Sequence, residues 1–136
     1  MISAEIKVKA QFYHLDPMQV VWHGNYPQFL EEARCALLDR IGYNYPEMER
    51  SGHVWPIVDM RIKYVRPIRF AQNVRVTATL AEYENRLRIE YRIHDAESGE
   101  TLTKATTIQL AVEAASGELC LESPPVLIER VRRLLP

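Results

Sequence analysis

The chain has 136 residues, of which 47% are apolar and 26% charged, so it can bury a core and lacks the composition of a disordered protein. Its 17 basic and 18 acidic residues are mixed along the sequence and leave a net charge of −1, which gives no basic surface for nucleic acid or an anionic membrane. No apolar run is long enough to span a membrane and no signal layout is visible. We therefore expect one cytoplasmic domain, 1–136.

The first predicted element is a strand in which apolar and polar residues alternate, with one apolar face made of Ile6, Val8, Ala10 and Phe12. A helix follows from about Asn25 to Ile41, and Gly42 is a natural stop. Its apolar residues recur at three- and four-residue spacing: Tyr26, Phe29, Leu30, Ala33, Leu37 and Ile41. The pattern predicts an amphipathic helix that needs a partner surface.

Four more stretches alternate with period two and predict strands with one buried face. Their predicted apolar faces are Val58, Met60, Ile62 and Tyr64; Val74, Val76, Ala78 and Leu80; Leu87, Ile89, Tyr91 and Ile93; and Ile108, Leu110 and Val112. The turns Glu84-Asn85 and Glu97–Glu100 indicate that the last three strands form a meander. A short helix is expected after Pro125, with Val126, Ile128, Val131 and Leu134 as its apolar residues.

These elements predict an α+β fold, because the helix has an apolar stripe to bury and the antiparallel sheet has an apolar face to cover. The two cysteines, Cys35 and Cys120, lie far apart, and neither has a thiol or histidine nearby at metal-ligand spacing. We predict reduced thiols, with no disulfide framework, no metal site and no cofactor.

The loop before the helix carries two candidate catalytic groups, Asp16 and His23. A helix start presents unpaired backbone N–H groups and a partial positive charge. A carbonyl docked there would have its developing oxyanion stabilised while Asp16 or His23 manages water or its protons. Four neighbouring residues are candidates for substrate binding: Val21, Trp22, Asn25 and Tyr26.

These residues also have structural interpretations. Asp16 precedes a proline, and Asp in that position commonly forms a turn by bonding its own backbone. His23 could bond a loop carbonyl. Asn25 resembles the first residue of a capping box, whereas Pro27, best placed at the first helical position, favours Tyr26 as the cap.

Taken together, the loop and the helix resemble those of the hotdog-fold acyl-CoA thioesterases, specifically the 4-hydroxybenzoyl-CoA thioesterase type that includes small bacterial proteins associated with the Tol-Pal system. The matching motifs are Asp16-Pro17-Met18, Val20-Val21-Trp22-His23, Asn25-Tyr26, Phe29-Leu30-Glu31-Glu32-Ala33-Arg34 and Ile62-Lys63-Tyr64-Val65-Arg66-Pro67. The resemblance covers nearly the whole chain. It implies a hotdog fold, a five-stranded antiparallel sheet wrapped around one central helix, and hydrolysis of a thioester to free acid and CoA.

The resemblance also implies roles for individual residues. Asp16 would be the catalytic aspartate, acting as general base or nucleophile, and His23 the histidine found seven residues later in many members. The backbone N–H at His23 would help form the oxyanion hole. One departure is Phe12, because some members carry a tyrosine four residues before the aspartate. Tyr13 would point to the other face if the strand still alternated there, so that role is not transferred to it.

Two alternative functions stay open. Another branch of hotdog enzymes, which includes dehydratases acting on acyl-carrier-protein thioesters, places its catalytic carboxylate on the central helix. Glu31 and Glu32 occupy that helix here but are interpreted as surface charges near arginines. The protein could also be a non-catalytic acyl-CoA binder or scaffold, which would be stabilised by CoA esters without releasing thiol.

The implied fold leaves sheet edges unpaired, and in the relatives two subunits join edge to edge with the active sites at their interface. We expect a homodimer or a homotetramer that takes an acyl-CoA substrate. Arg61, Lys63 and Arg88 are basic residues available for the CoA phosphates. The sequence does not determine the acyl chain.

Overall fold

The computed structural model describes residues 1–136, which form a five-stranded antiparallel sheet packed against one long helix. In chain order the elements are β1 Ser3–Lys9, α1 Tyr26–Ile41, α2 Tyr45–Arg50, β2 His53–Val54, β3 Ile57–Tyr64, β4 Asn73–Glu82, β5 Leu87–Asp95, β6 Thr101–Gln109, β7 Val112–Glu113 and α3 Pro125–Arg132. The main sheet has the order β1-β4-β5-β6-β3, and β2 pairs with β7 separately. The predicted α+β hotdog architecture is confirmed, as is the meander of β4 to β6.

The central helix α1 begins and ends where the sequence predicts. Gly42 terminates it with φ of +83°, a left-handed conformation that glycine adopts at little cost, and its N–H donates to the Leu38 carbonyl at 2.9 Å. The buried face includes Phe29, Leu30 and Leu37, each at most 2% exposed. This face packs against β1 and β4, so the helix covers one side of the sheet and leaves the β3 side open.

The predicted inward faces of β4 and β5 are confirmed. Val74, Val76 and Ala78 are at most 1% exposed, and Leu80 is half-buried and packs against the core. All four apolar residues of β5 are buried. Both strands have a neighbour on each side, so one face is forced into the core and alternation is a reliable signal.

The first strand is shorter than predicted. Ile6 and Val8 face the core, and Ala10 is buried just beyond the strand, but β1 ends at Lys9. Phe12 lies in a 3₁₀ turn, Phe12–His14, and is 79% exposed. Its assignment to the apolar face was wrong because a strand's period of two does not continue through a turn.

The second long strand has its predicted face but not the predicted burial, since Met60, Ile62 and Tyr64 lie opposite the core-facing Thr107, Ala105 and Thr103 and yet are incompletely covered. Val58, Met60 and Tyr64 of β3 are 37–53% exposed, and only Ile62 is half-buried against the core. Two causes combine. β3 lies at the sheet edge on the side that α1 does not cover, and a bulge between Ile57 and Asp59 shifts the register of Val58.

The orientation of β6 is opposite to the prediction. Thr103, Thr107 and Gln109 face the core at 0–1% exposure, whereas Ile108 is on the other face and only half-buried. Leu110 and Val112 lie beyond the strand, and Val112 belongs to β7. Polar inward residues need partners. Thr107 and the Gln109 Nε2 have them, whereas the Thr103 Oγ1 and the Gln109 Oε1 make no hydrogen bond. The Gln109 Nε2 donates to the Trp55 carbonyl at 2.8 Å, and Thr107 Oγ1 lies 2.7 Å from the Tyr91 hydroxyl.

Arg34 explains part of this polar interior. Its side chain projects from α1 to the sheet and is 5% exposed. The guanidinium donates to the Tyr91 and Tyr45 hydroxyls, each at 3.3 Å, and lies 3.7 Å from the Glu31 carboxylate. Burial raises the pKa of the Tyr91 phenol, while the adjacent Arg34 charge opposes the rise. Arg34, Tyr91 and Thr107 thus form one hydrogen-bonded chain from helix to sheet.

The C-terminal helix is confirmed as α3, although its buried face differs from the prediction. Leu127 and Val131 are fully buried, whereas Val126 and Ile128 are half-buried and Leu134 is exposed beyond the helix end. The thiols of Cys35 and Cys120 are both free. None of the helices is both long enough and apolar enough to traverse a membrane.

We predict that Tyr91→Phe lowers the free energy of unfolding by about 1–3 kcal/mol, because the buried Arg34 and Thr107 would each lose a hydrogen-bond partner. Urea denaturation measures this loss. Tyr83→Phe is the matched control, since Tyr83 packs against the core and its hydroxyl makes no hydrogen bond. Equal losses in the two variants would contradict a role for the hydroxyl network.

Candidate active site

The loop that carries Asp16 is closed by its own backbone. Leu15 and Val21 form an antiparallel bridge, so residues 16–20 make the tip of a short hairpin. The Asp16 N–H donates to the Val20 carbonyl and the Gln19 N–H to the Asp16 carbonyl, both at 2.9 Å. Gln19 has φ of +63°, an uncommon conformation for a non-glycine residue, and it completes the reversal. Asp16 is therefore held on a closed turn.

The Asp16 carboxylate is half-buried and has one free oxygen. Its Oδ1 accepts the Met18 N–H at 2.8 Å, which is the turn that the Asp-Pro pair also suggested. Its Oδ2 has no protein partner, so that oxygen can accept a proton. The carboxylate lines a groove of about 720 Å³, whose other walls are mostly loop residues and two aromatic rings: Phe12, Leu15, Pro17, Met18, Gln19, Arg69 and Phe70.

The chain enters α1 through a second 3₁₀ turn, His23–Asn25. The Trp22 carbonyl accepts the Asn25 N–H at 2.9 Å, and the His23 carbonyl accepts the Tyr26 N–H. The N–H groups of His23 and Gly24 take part in none of the loop and cap hydrogen bonds. Two adjacent peptides therefore have a fixed carbonyl end and a free N–H end, as an oxyanion hole requires.

The Trp22 indole occupies the space next to Gly24. A Cβ built on Gly24 would lie 2.4 Å from the Trp22 ring, far inside van der Waals contact. The indole covers this peptide and is itself 48% exposed. Trp22 is therefore the one predicted substrate-binding residue that combines a large apolar surface with access to a ligand.

The other three predicted substrate-binding residues have structural roles. Val21 is 3% exposed, and its N–H donates to the Ile68 carbonyl at 2.8 Å. The Asn25 Nδ2 donates to the His14 carbonyl at 2.8 Å, which ties the helix start to the beginning of the loop. Asn25 does occupy the cap position of α1, but its side chain makes no capping bond, so the predicted capping box is absent. The preceding 3₁₀ turn already supplies acceptors to the first N–H groups.

Tyr26 is buried, and its ring packs against Tyr64 of β3. Burial raises the pKa of its phenol, and the nearby phenol of Tyr64 and carboxylate of Asp16 raise it further. The Tyr26 phenol is therefore neutral at neutral pH, and its ring meets the Tyr64 ring edge-on with centroids 4.7 Å apart.

Asp16 and His23 are not joined by a hydrogen bond. The His23 side chain is exposed, and its ring contacts Trp22 and Tyr64 at centroid distances of 5.4 and 6.5 Å. His23 does not line the groove beside Asp16. Within one chain the carboxylate and the imidazole are therefore not in contact. The backbone N–H of His23, rather than its ring, is the group available to a substrate.

The arrangement can support addition of water to a carbonyl. One carboxylate oxygen is free to accept a proton, and two backbone N–H groups are free to stabilise an oxyanion. Glu31 and Glu32 are exposed on α1, consistent with surface charges. Sequence reasoning did not identify Tyr64 as part of this region. Its hydroxyl donates to the His23 carbonyl at 3.3 Å, a contact across 41 residues of sequence.

Comparison with known proteins gives a family match over most of the chain. The profile described as the Thioesterase-like superfamily matches residues 10–131. A Synechocystis protein provisionally named an esterase is 32% identical over 96% of this chain and 79% of its own length. A Bacillus subtilis protein provisionally named an acyl-CoA thioesterase is 30% identical over 81% of this chain and 80% of its own length.

Solved structures share the fold. The DHNA-CoA thioesterase from Staphylococcus aureus superposes with a TM-score of 0.80 and 27% identity, covering 89% of this chain and 81% of the other. The structural similarity therefore extends over most of the chain.

We predict that Gly24→Ala displaces the Trp22 indole and destabilises the protein by about 1–3 kcal/mol, as overpacking commonly does. Unfolding in urea measures the cost, and acrylamide quenching of tryptophan fluorescence reports the displacement. In a Trp22→Ala background the same Gly24→Ala change should cost little, because the obstructing ring is gone. An undiminished cost in that background would show that the indole is not the constraint.

Proposed function

The chain belongs to the Thioesterase-like superfamily, and from that premise we propose that it is an acyl-CoA thioesterase which hydrolyses a thioester to a free acid and CoA. The observation that carries the proposal is that one loop holds a carboxylate with a free oxygen, Asp16, and leads into a helix start with two unpaired N–H groups. The proposed unit of function is the domain 1–136, of the 4-hydroxybenzoyl-CoA thioesterase type.

In the proposed reaction, a water oxygen attacks the thioester carbonyl carbon while the Asp16 carboxylate takes its proton. The N–H groups of His23 and Gly24 donate to the carbonyl oxygen as it becomes an oxyanion. Collapse of the tetrahedral intermediate breaks the C–S bond, and the proton passes from Asp16 to the departing CoA thiolate. A positioned base contributes about 10² to 10⁴ in rate, and an oxyanion donor about 10² to 10³.

Asp16 could also attack the carbonyl carbon directly, in which case water would hydrolyse the resulting anhydride. A single turnover in ¹⁸O-water reveals the anhydride route when water attacks the aspartyl carbon. Direct attack by water never places label in Asp16, whereas hydrolysis of an anhydride at its aspartyl carbon would do so. The same carboxylate oxygen serves both routes.

Among the predicted substrate-binding residues, we assign contact with the substrate to Trp22. Its indole is half-exposed beside the free N–H groups, so it can cover a thioester docked there. The other three stabilise the loop and the helix start: Val21 and Tyr26 are buried, and Asn25 makes a hydrogen bond to the loop. The His23 ring stands at its outer rim.

We propose that the protein acts as a homodimer formed through the free edge of β3. The strand is eight residues long, and its residues Ile57, Val58, Met60 and Tyr64 are 37–53% exposed. A long apolar edge with unpaired backbone groups is a surface for pairing with another strand.

We propose Lys63 as a residue that binds a CoA phosphate. Lys63 lies directly opposite Lys104 on the outer face of this edge and has no carboxylate in ion-pair contact. Arg88 is the poorer candidate, because it pairs with Glu90 at 2.9 Å.

We predict that Asp16→Asn reduces turnover about 100-fold or more, because the amide cannot accept the proton. Its Oδ1 can still accept the Met18 N–H, so the turn should persist. Free-thiol release from acetyl-, butyryl-, palmitoyl-, phenylacetyl- and hydroxybenzoyl-CoA, and from acyl-carrier-protein thioesters, measures the rate and identifies the substrate.

Glu31→Gln and Glu32→Gln serve as matched controls that should retain wild-type turnover. A loss in either, with full activity in Asp16→Asn, would assign catalysis to the helix carboxylate. Stabilisation by CoA esters without thiol release from any substrate would instead support a binding protein.

We predict that the wild type has twice the monomer mass of 15.8 kDa, or four times if dimers pair, in analytical ultracentrifugation. Val58→Lys should yield the monomer, because a charge on an edge strand opposes pairing. Leu121→Lys is the control, since Leu121 is 83% exposed and does not belong to β3. A monomeric wild type would refute the proposed assembly.

A further inference from the structure

Tyr64 connects the edge strand to the helix start. It is the last residue of β3, so its position is set by the ladder with β6, where it lies opposite Thr103. Its ring meets the ring of Tyr26 edge-on, with centroids 4.7 Å apart and planes at 85°. Because β6 and the helix residue Tyr26 both belong to regular structure, the position of the Tyr64 ring and its hydroxyl is well defined.

The hydroxyl of Tyr64 donates to the His23 carbonyl at 3.3 Å. That carbonyl also accepts the Tyr26 N–H, so both of its lone pairs are used. One of these bonds belongs to the helix itself. The other comes from a strand 41 residues away and is the only side-chain hydrogen bond to the peptide that joins His23 and Gly24.

Fixing this carbonyl fixes the N–H of Gly24. The peptide unit is planar and trans, so the Gly24 N–H points opposite to the His23 carbonyl. A carbonyl that accepts hydrogen bonds also polarises its peptide, which strengthens the N–H as a donor. The Trp22 indole packs over the same glycine from another side. Gly24 would otherwise be free to rotate, because glycine has no side chain to restrict it.

We propose that Tyr64 is a positioning residue that aims the Gly24 N–H at the oxyanion of the thioester transition state. This inference rests on the proposed function, because it assigns a role within the same site. Tyr64 does not touch the reacting atoms. It acts through the His23 carbonyl. Without the Tyr64 hydroxyl, that carbonyl would keep only the hydrogen bond from the Tyr26 N–H, and one of its lone pairs would have no partner.

The test is Tyr64→Phe, which removes the hydroxyl and keeps the ring against Tyr26. We expect kcat to fall about tenfold, a fraction of the 10² to 10³ that a whole oxyanion donor supplies, while KM stays the same. An interaction used only in the transition state changes kcat and leaves substrate binding unaltered. Tyr13→Phe is the control, because Tyr13 is 79% exposed and its hydroxyl has no partner.

A second measurement does not depend on turnover. The amide ¹⁵N chemical shift of a residue responds to hydrogen bonding at the preceding carbonyl, so the Gly24 amide should move in Tyr64→Phe and stay in place in Tyr13→Phe. Urea denaturation checks that both variants remain folded. A Gly24 resonance that is unchanged in Tyr64→Phe would overturn the positioning role.

The kinetic outcomes separate this inference from the proposed function. Thiol release by the wild type with unimpaired kcat in Tyr64→Phe would overturn the inference alone. A raised KM at constant kcat would also overturn it, since Tyr64 would then be a substrate contact. Absence of thiol release by the wild type from every ester would overturn the proposed function and, with it, the catalytic consequence of the hydrogen bond.

Discussion

The packing of α1 on the β1–β4 side of the sheet is the constraint on which the rest of the structure depends. A helix with its side chains is about 10 Å across, and strands are about 4.8 Å apart, so one helix covers roughly two strands of five. The inner face near β6 and β3 must be filled in other ways. Tyr26 and Tyr91 occupy part of it, and the outermost strand stays open.

This uneven cover also locates the candidate site. The chain reaches α1 by crossing from the end of β1 to the uncovered side, where the end of β3 meets the helix start. The loop therefore lies between the part of the sheet that is filled and the part that is open. A substrate can approach there, while the backbone around His23 is held by regular structure on two sides.

The sequence predicted the inward face correctly for strands whose inward residues are apolar and that have a neighbouring strand on both sides. In β4 and β5 hydrophobicity and burial coincide, so alternation gave the correct face. In β6 the inward residues Thr103, Thr107 and Gln109 are polar and the outward Ile108 is apolar, and the same rule gave the opposite face. The alternation rule uses hydrophobicity alone and takes no account of hydrogen bonds made inside the core.

The edge position of β3 was likewise invisible to that rule, because an edge strand can carry the same alternating pattern as a central one. Its place follows from the order in which strands pair, which depends on long-range contacts. Only the resemblance to known thioesterases suggested that an edge would be left free.

In the candidate site, too, the sequence predicted local features and missed the long-range contacts. Signals within a few residues were readable: the turn at Asp16, the helix start near Asn25 and the stop at Gly42. The capping box was misassigned because Asn25 bonds the His14 carbonyl, which only the folded loop brings near. The contact of Tyr64 with His23 joins two motifs that the sequence marked separately. Local pattern identified both and could not show that they touch.

The Trp22 ring lying on Gly24 has a consequence for how this loop can change over evolutionary time. While an indole occupies that space, a side chain at position 24 has to displace the ring, so a substitution there carries a cost. A smaller residue at position 22 would lift the restriction and open position 24 to other amino acids. The two positions are thus expected to vary together, because loss of the tryptophan makes a later replacement of the glycine less costly.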